Sequence, residues 1–155
     1  MSRWRRFRDA SATDRRLLVE AGFFLLLARA ELAILPFARV MASLAGRSES
    51  ELRRNAGDWI RQIRWAVETM ARHSPLPLTC LPQALAAAWM LQSRGLAPRL
   101  VYGVRTDRTN GFSAHAWVEL DEAPVVGHRA AAGFTELASF PVDEKVGEER
   151  VLRCS

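Results

Sequence analysis

The sequence predicts an α+β fold, in which N-terminal amphipathic helices precede a helix that packs on an antiparallel sheet. Apolar residues recur at helical spacing through the first half of the chain, whereas the residues after Gly95 alternate with a period of two. Short turn-forming segments separate the alternating stretches, which is typical of antiparallel neighbours. Helices followed by strands, rather than helices alternating with strands, indicate the α+β class.

One compact domain is expected, because 155 residues are enough for a single hydrophobic core.

Two helices are predicted before residue 45. Thr13 can cap the first helix, which runs to Leu35, because Pro36 disfavours helical backbone at the residue before it. A shorter helix then continues to Leu44.

A third helix, a linker and a fourth helix follow. Ser48 and Glu51 have the S-x-x-E spacing of a capping box, which opens a helix from about residue 49 to residue 72. Its apolar residues share one face: Leu52, Ala56, Trp59, Ile60, Ile63, Val67 and Met70. The Ser-Pro-Leu-Pro linker at residues 74–77 leads into a helix that begins near Cys80 and ends at Gly95.

Three strands are predicted after this helix, over residues 99–105, 112–120 and 123–128. The first turn, Asp107–Gly111, contains Asn-Gly, and the second is the pair Asp121-Glu122. The strands therefore form an antiparallel meander.

A thiol and an imidazole in these elements could form a nucleophilic site. Cys80 lies at a helix start, with Pro82 in the first turn, and a helix N-terminus stabilises a thiolate. His115, in the second strand, could deprotonate it or pair with it. The alternative is that Cys80 is a small buried hydrophobic residue and His115 a structural one.

A third group usually holds such an imidazole in one tautomer. Alternation places His115 on the same strand face as Trp117 and Glu119, but Glu119 is about 13 Å along the strand. Counting back from the two turns places His128 opposite His115 and Tyr102 on its other side. His128, Tyr102 or a backbone carbonyl could therefore orient His115.

Three segments have the order and spacing of a known family. They read TCLPQALAAAWMLQSRGLAPRLVYGVR, SAHAWVEL and VVGHRAAAGFTELASF. Together they resemble the stand-alone leader peptidases of bacterial lasso peptide biosynthesis, in the transglutaminase-like superfamily, over residues 75–140. The N-terminal ATDRRLL and LPF segments are similar too. That family commonly has an aspartate about a dozen residues after the histidine, where this chain reads Val126-Gly127-His128.

The resemblance implies a papain-like cysteine peptidase core over residues 75–155, with residues 1–74 as a helical region for docking a partner. Cys80 would attack the amide between leader and core of a lasso precursor peptide, and His115 would protonate the leaving amine. Neither a cofactor nor a metal is implied. The expected partners are a separate leader-binding recognition protein and an asparagine-synthetase-like macrocyclase, with docking along Phe24, Leu25 and Leu32.

Two other functions fit the same residues. A transglutaminase or amidase would use the same Cys–His pair with another acceptor for the acyl group. A non-enzymatic helical adaptor would keep both residues in its core.

Charge and cysteine content indicate which partners and which cellular compartment to expect. The net charge is +5, and arginines near the N-terminus are interleaved with Trp4 and Phe7. No nucleic-acid motif accompanies them. We expect no nucleic-acid partner; an acidic partner or peripheral membrane contact is favoured. Residues 21–28, an uncharged run, are far shorter than the roughly 20 residues of a membrane span. Cys80 and Cys154 form no disulfide framework, so a cytoplasmic location is expected.

Overall fold

The structure, a computed structural model, describes residues 11–44, 56–107 and 111–141. The helices are α1 (Ala12–Ile34), α2 (Phe37–Ala42), α3 (Ala56–His73) and α4 (Cys80–Gln92). The strands are β1 (Arg99–Asp107), β2 (Gly111–Leu120), β3 (Ala123–Val126) and β4 (Thr135–Phe140). They form one antiparallel sheet in the order β3-β2-β1-β4, which confirms the predicted α+β class. Within the described ranges, no helix is long and apolar enough to cross a membrane.

The first helix begins two residues earlier than predicted. Ser11, not Thr13, is the N-cap, and its side chain and that of Asp14 form a reciprocal capping box. The helix ends at Ile34, and Leu35 has extended backbone, as expected before Pro36. The capping box predicted at residues 48–51 lies outside the described residues.

The outer surface of α1 differs from the predicted docking face. Leu25 is buried, and Phe24 packs against the ring of Trp89, so both residues belong to the core side. The exposed apolar residues of α1 are instead Val19, Phe23, Leu26 and Ile34. Leu32 is also partly buried against the core, and periodicity could not distinguish the two sides of α1 because both are apolar.

The fourth helix is the centre of the core. Small side chains fill its middle, where Ala84 and residues 86–88 are fully buried, so α1 and α3 approach it closely. Its end is marked by Gly95, which has the left-handed φ of 70°. Buried residues from all four helices and from β1, β2 and β3 form one hydrophobic cluster.

The sheet confirms the predicted meander and adds one strand. Asp121 and Glu122 both have positive φ, 49° and 65°, as a tight hairpin turn requires. Strand β3 ends at Val126, two residues before the predicted end, because Gly127 turns the chain away with φ of 79°. Strand β4 was not predicted; it pairs with β1, and the exposed residues 135–137 give it little hydrophobic alternation.

The two faces of the sheet have different coverings. Leu100, Ala116 and Val118 face the helices and belong to their core cluster. Because side chains alternate along a strand, His115 and Trp117 lie on the opposite, outer face.

Candidate active site

Cys80 is the first residue of α4, as predicted. Its thiol is half-buried and free, and Thr79, the N-cap, makes no side-chain capping bond. The first backbone N–H groups of a helix have no intrahelical acceptor. Because Pro82 lacks an N–H, the free donors at this helix start are those of Cys80 and Leu81, and both favour negative charge there.

Hydrogen bonds hold the chain that approaches Cys80. The Gln83 amide side chain donates to the carbonyl of Leu78 at 2.8 Å, and the Gln83 backbone N–H donates to the carbonyl of Thr79 at 3.4 Å. One residue therefore fixes both the segment before the thiol and the first helical turn.

His115 is half-buried on β2, past the point where pairing with β3 stops. Its Nε2 is 2.8 Å from the carbonyl oxygen of Gly127. The imidazole stacks on the Trp117 ring at 6.2 Å between centroids and 22° between planes, and Phe134 lies 5.4 Å away on a tilted plane. Two aromatic rings thus limit the positions that the imidazole can take.

Two glycines make room for this arrangement. A Cβ at Gly103 would lie 2.8 Å from the Trp117 ring, so only glycine lets that ring lie across β1. A Cβ at Gly127 would lie 2.8 Å from the carbonyl oxygen of Ala116, and the positive φ also favours glycine there.

Charged groups continue along the outer face. Trp117 Nε1 donates to Glu119 at 2.9 Å, and Arg99 pairs with Glu119 at 3.3 Å and with Glu136. Partial burial acts to lower the pKa of the Arg99 guanidinium, but the hydrogen bonds and charges of Glu136 and Glu119 outweigh it and raise that pKa. Arg99 is therefore a fixed cation on this face.

A shallow cavity of about 400 Å³ lies beside these groups. Its lining consists of Trp117, Glu119, His128, Arg129, Ala131 and Ala132. Over the residues that the structure describes, no group of three His, Cys, Asp or Glu side chains could hold a metal ion.

In the structure, Cys80 and His115 lie in different environments. No hydrogen bond joins the Cys80 thiol to His115, since α4 packs on the helix side of the sheet and His115 lies on the outer face. Their joint catalytic role stays a prediction. Cys154 lies outside the described residues.

The group that orients His115 is neither of the two side chains considered, His128 and Tyr102. The His128 residue begins a short 3₁₀ helix, is exposed, and makes no hydrogen bond to His115. Gly103, not Tyr102, is opposite His115, because the first hairpin pairs with a register one residue away from the predicted one. The remaining option, a backbone carbonyl, is the one observed, at Gly127.

Comparison with known proteins identifies the fold family. Residues 23–139 match the family model described as the transglutaminase-like superfamily, which covers most of the chain. No curated protein and no solved structure matches the chain.

Proposed function

Because the chain belongs to the transglutaminase-like superfamily, we propose that it is a cysteine peptidase that removes the leader from a lasso precursor peptide. Superfamily membership supports cysteine-dependent acyl transfer or peptide hydrolysis. The resemblance of its three segments to lasso leader peptidases supports the finer assignment. The observation that carries the proposal is the half-buried Cys80 thiol at the uncapped N-terminus of α4.

The reaction needs two steps at this helix start. The Cys80 thiolate attacks the scissile carbonyl, and the oxyanion that forms is stabilised by the free N–H groups of Cys80 and Leu81. His115 holds the thiol proton and transfers it to the leaving amine. Water then hydrolyses the thioester, which releases the acyl half of the substrate and restores the thiol.

This chemistry requires Cys80 and His115 to meet across the edge of the sheet, because α4 packs on one face and the His115 ring lies on the other. A helix of 13 residues is about 20 Å long, the length of about six strand residues. Since a short connection joins the end of α4 to Arg99, we infer that Cys80 lies toward the end of the sheet where β1 ends and β2 begins, the half of β2 that contains His115. We propose that the two groups meet at the edge of β2 beyond Val118, where pairing with β3 has stopped.

Substitution of each site residue tests the proposal. Cys80→Ala should abolish leader cleavage, and His115→Ala should be comparably damaging, while circular dichroism shows an unchanged fold. His128→Ala should cost less, because its ring makes no hydrogen bond to His115. Mass spectrometry of the precursor, incubated with each variant and its leader-binding protein, measures the cleavage. Retained cleavage in Cys80→Ala would remove the nucleophile assignment.

Thiol labelling separates the enzyme from an adaptor protein. In a Cys154→Ala background, iodoacetamide at neutral pH should label Cys80 rapidly, because the helix N-terminus favours its thiolate. A thiol that labels only after unfolding would support the adaptor.

Acyl transfer to an amine is the second candidate, since superfamily membership supports it equally. A primary amine added to the assay distinguishes the two reactions. Leader peptidase activity gives a free carboxylate at the cut, whereas acyl transfer gives the amide of the added amine.

The separate leader-binding protein is proposed to dock on the exposed stripe of α1. Val19, Phe23 and Leu26 are each more than half exposed, and they lie along one side of the helix beside Arg15 and Arg16. Phe23→Asp should reduce the stimulation of cleavage by that protein, whereas Phe112→Asp, at an even more exposed ring on β2, should not. Equal stimulation of both variants would move the docking site elsewhere.

A further inference from the structure

The contact between His115 and Gly127 determines which ring nitrogen carries the proton. A carbonyl oxygen can only accept a hydrogen bond, so Nε2 at 2.8 Å from it must be the donor. In the neutral imidazole the other nitrogen, Nδ1, is then the unprotonated base. The fold therefore selects one of the two tautomers of His115.

We propose that the Gly127 carbonyl is the positioning group of the active site, in the place that an acidic side chain would otherwise take. This inference rests on the proposed function, because it assigns the proton-accepting role to Nδ1 of His115. It requires no carboxylate near the ring. The nearest acid on the same strand face, Glu119, is already bonded to Trp117 and Arg99.

The backbone around Gly127 is built to present this oxygen. Gly127 has φ of 79° and follows the last paired residue of β3, so the chain turns under the imidazole at this point. Its carbonyl also accepts the N–H of Ala130 at 3.1 Å, which closes the short 3₁₀ helix and fixes the direction of the oxygen. A side chain at this position would collide with Ala116.

The aromatic neighbours hinder a flip of the His115 ring, which would exchange the positions of Nδ1 and Nε2. Trp117 and Phe134 border the imidazole, and the Arg105 guanidinium lies 4.7 Å from the Phe134 ring. A ring flip would bring Nδ1 toward the carbonyl and reverse the tautomer. Since Nε2 donates in both the neutral and the charged ring, the same contact persists while the proton on Nδ1 comes and goes.

The chain contains its own control for the tautomer. His73, at the end of α3, has Nδ1 2.7 Å from the carbonyl of Thr69, so the same reasoning gives it a proton on Nδ1. Imidazole ¹⁵N chemical shifts of the full-length protein, at a pH where the rings are neutral, report each tautomer. We expect His115 to be protonated on Nε2 and His73 on Nδ1. A His115 ring protonated on Nδ1 would overturn the inference.

An amide-to-ester exchange tests the role of the carbonyl in catalysis. Ester carbonyls accept hydrogen bonds more weakly, and the N–H of His128, which the exchange removes, makes no hydrogen bond in the structure. The matched pair is His128→Ala and the same variant with lactic acid at position 128, which makes the 127–128 link an ester. We expect kcat to fall about three- to ten-fold in the ester, with KM unchanged, as for one weakened hydrogen bond.

The outcomes separate the two proposals. Equal kcat for amide and ester would overturn the role of Gly127 and leave the peptidase assignment intact. If the amide and ester forms of His128→Ala both fail to cleave the precursor while the unsubstituted protein cleaves it, the ¹⁵N chemical shifts of His115 decide whether the inference holds. If unsubstituted protein does not cleave either, the proposed function fails, and the ¹⁵N shifts again test Gly127 independently.

Discussion

The two faces of the sheet are held in different ways. On the helix side, Leu100, Ala116 and Val118 are fully buried and belong to the hydrophobic cluster that includes α4. On the outer face, His115 and Trp117 are held by a backbone carbonyl and ring contacts. The helix side thus supplies the stability of the fold, whereas the outer face holds polar groups in fixed directions.

The largest effect should come from the helix side. Leu100→Ala removes a fully buried side chain and should lower the free energy of unfolding by about 2–5 kcal/mol. Leu137→Ala, the same change at a side chain that is half exposed on β4, should stay within about 0.5 kcal/mol. Urea denaturation of the two variants measures both values. Similar losses would mean that burial against the helices is not what stabilises the sheet.

The helix side was also the easier one to predict from the sequence. Alternating apolar residues on β2 and helical spacing on α3 report burial directly, and both patterns gave the correct elements. The turn at Asp121-Glu122 was recognisable because two charged residues interrupt the alternating apolar pattern there, and both have positive φ in the structure. Strand β4 was missed because three of its six residues are exposed.

The outer face could be predicted only in part. The shared strand face of His115 and Trp117 followed from alternation. The partner of His115 did not, because a backbone carbonyl has no residue-specific signal, and the register differed by one residue from the one expected. The glycine at 127, next to the end of a strand, was the only available sign of a turn with positive φ.

An intermediate effect is expected at the packing of the outer face. Gly103→Ala places a methyl group 2.8 Å from the Trp117 ring and 3.1 Å from the carbonyl of Thr135, and should cost about 1–3 kcal/mol. Gly57→Ala in α3, where nothing lies within 4 Å, is the matched control and should be neutral or slightly stabilising. Thermal unfolding of both variants gives the comparison.

The same variant distinguishes rigidity from stability on that face. Displacement of Trp117 removes the surface on which the His115 ring stacks. Gly103→Ala should therefore lower the rate of precursor cleavage even at temperatures where it is fully folded, whereas Leu100→Ala should not. An unchanged rate in folded Gly103→Ala would show that the Trp117 ring does not hold His115 in a catalytic position.

The smallest effect should come from the charges at the outer edge. Glu136→Gln removes one partner of Arg99, but both side chains are about one-third or more exposed, so the loss should be at most about 1 kcal/mol. Arg99 keeps its bond to Glu119, which limits the loss further. Because salt shortens the Debye length from about 10 Å at 0.1 M to about 3 Å at 1 M, the difference from the unsubstituted protein should shrink at high salt. Denaturation at both salt concentrations measures it. A loss that exceeds that of Gly103→Ala, or that persists at 1 M salt, would mean that ion pairs rather than glycine and ring packing hold the outer face.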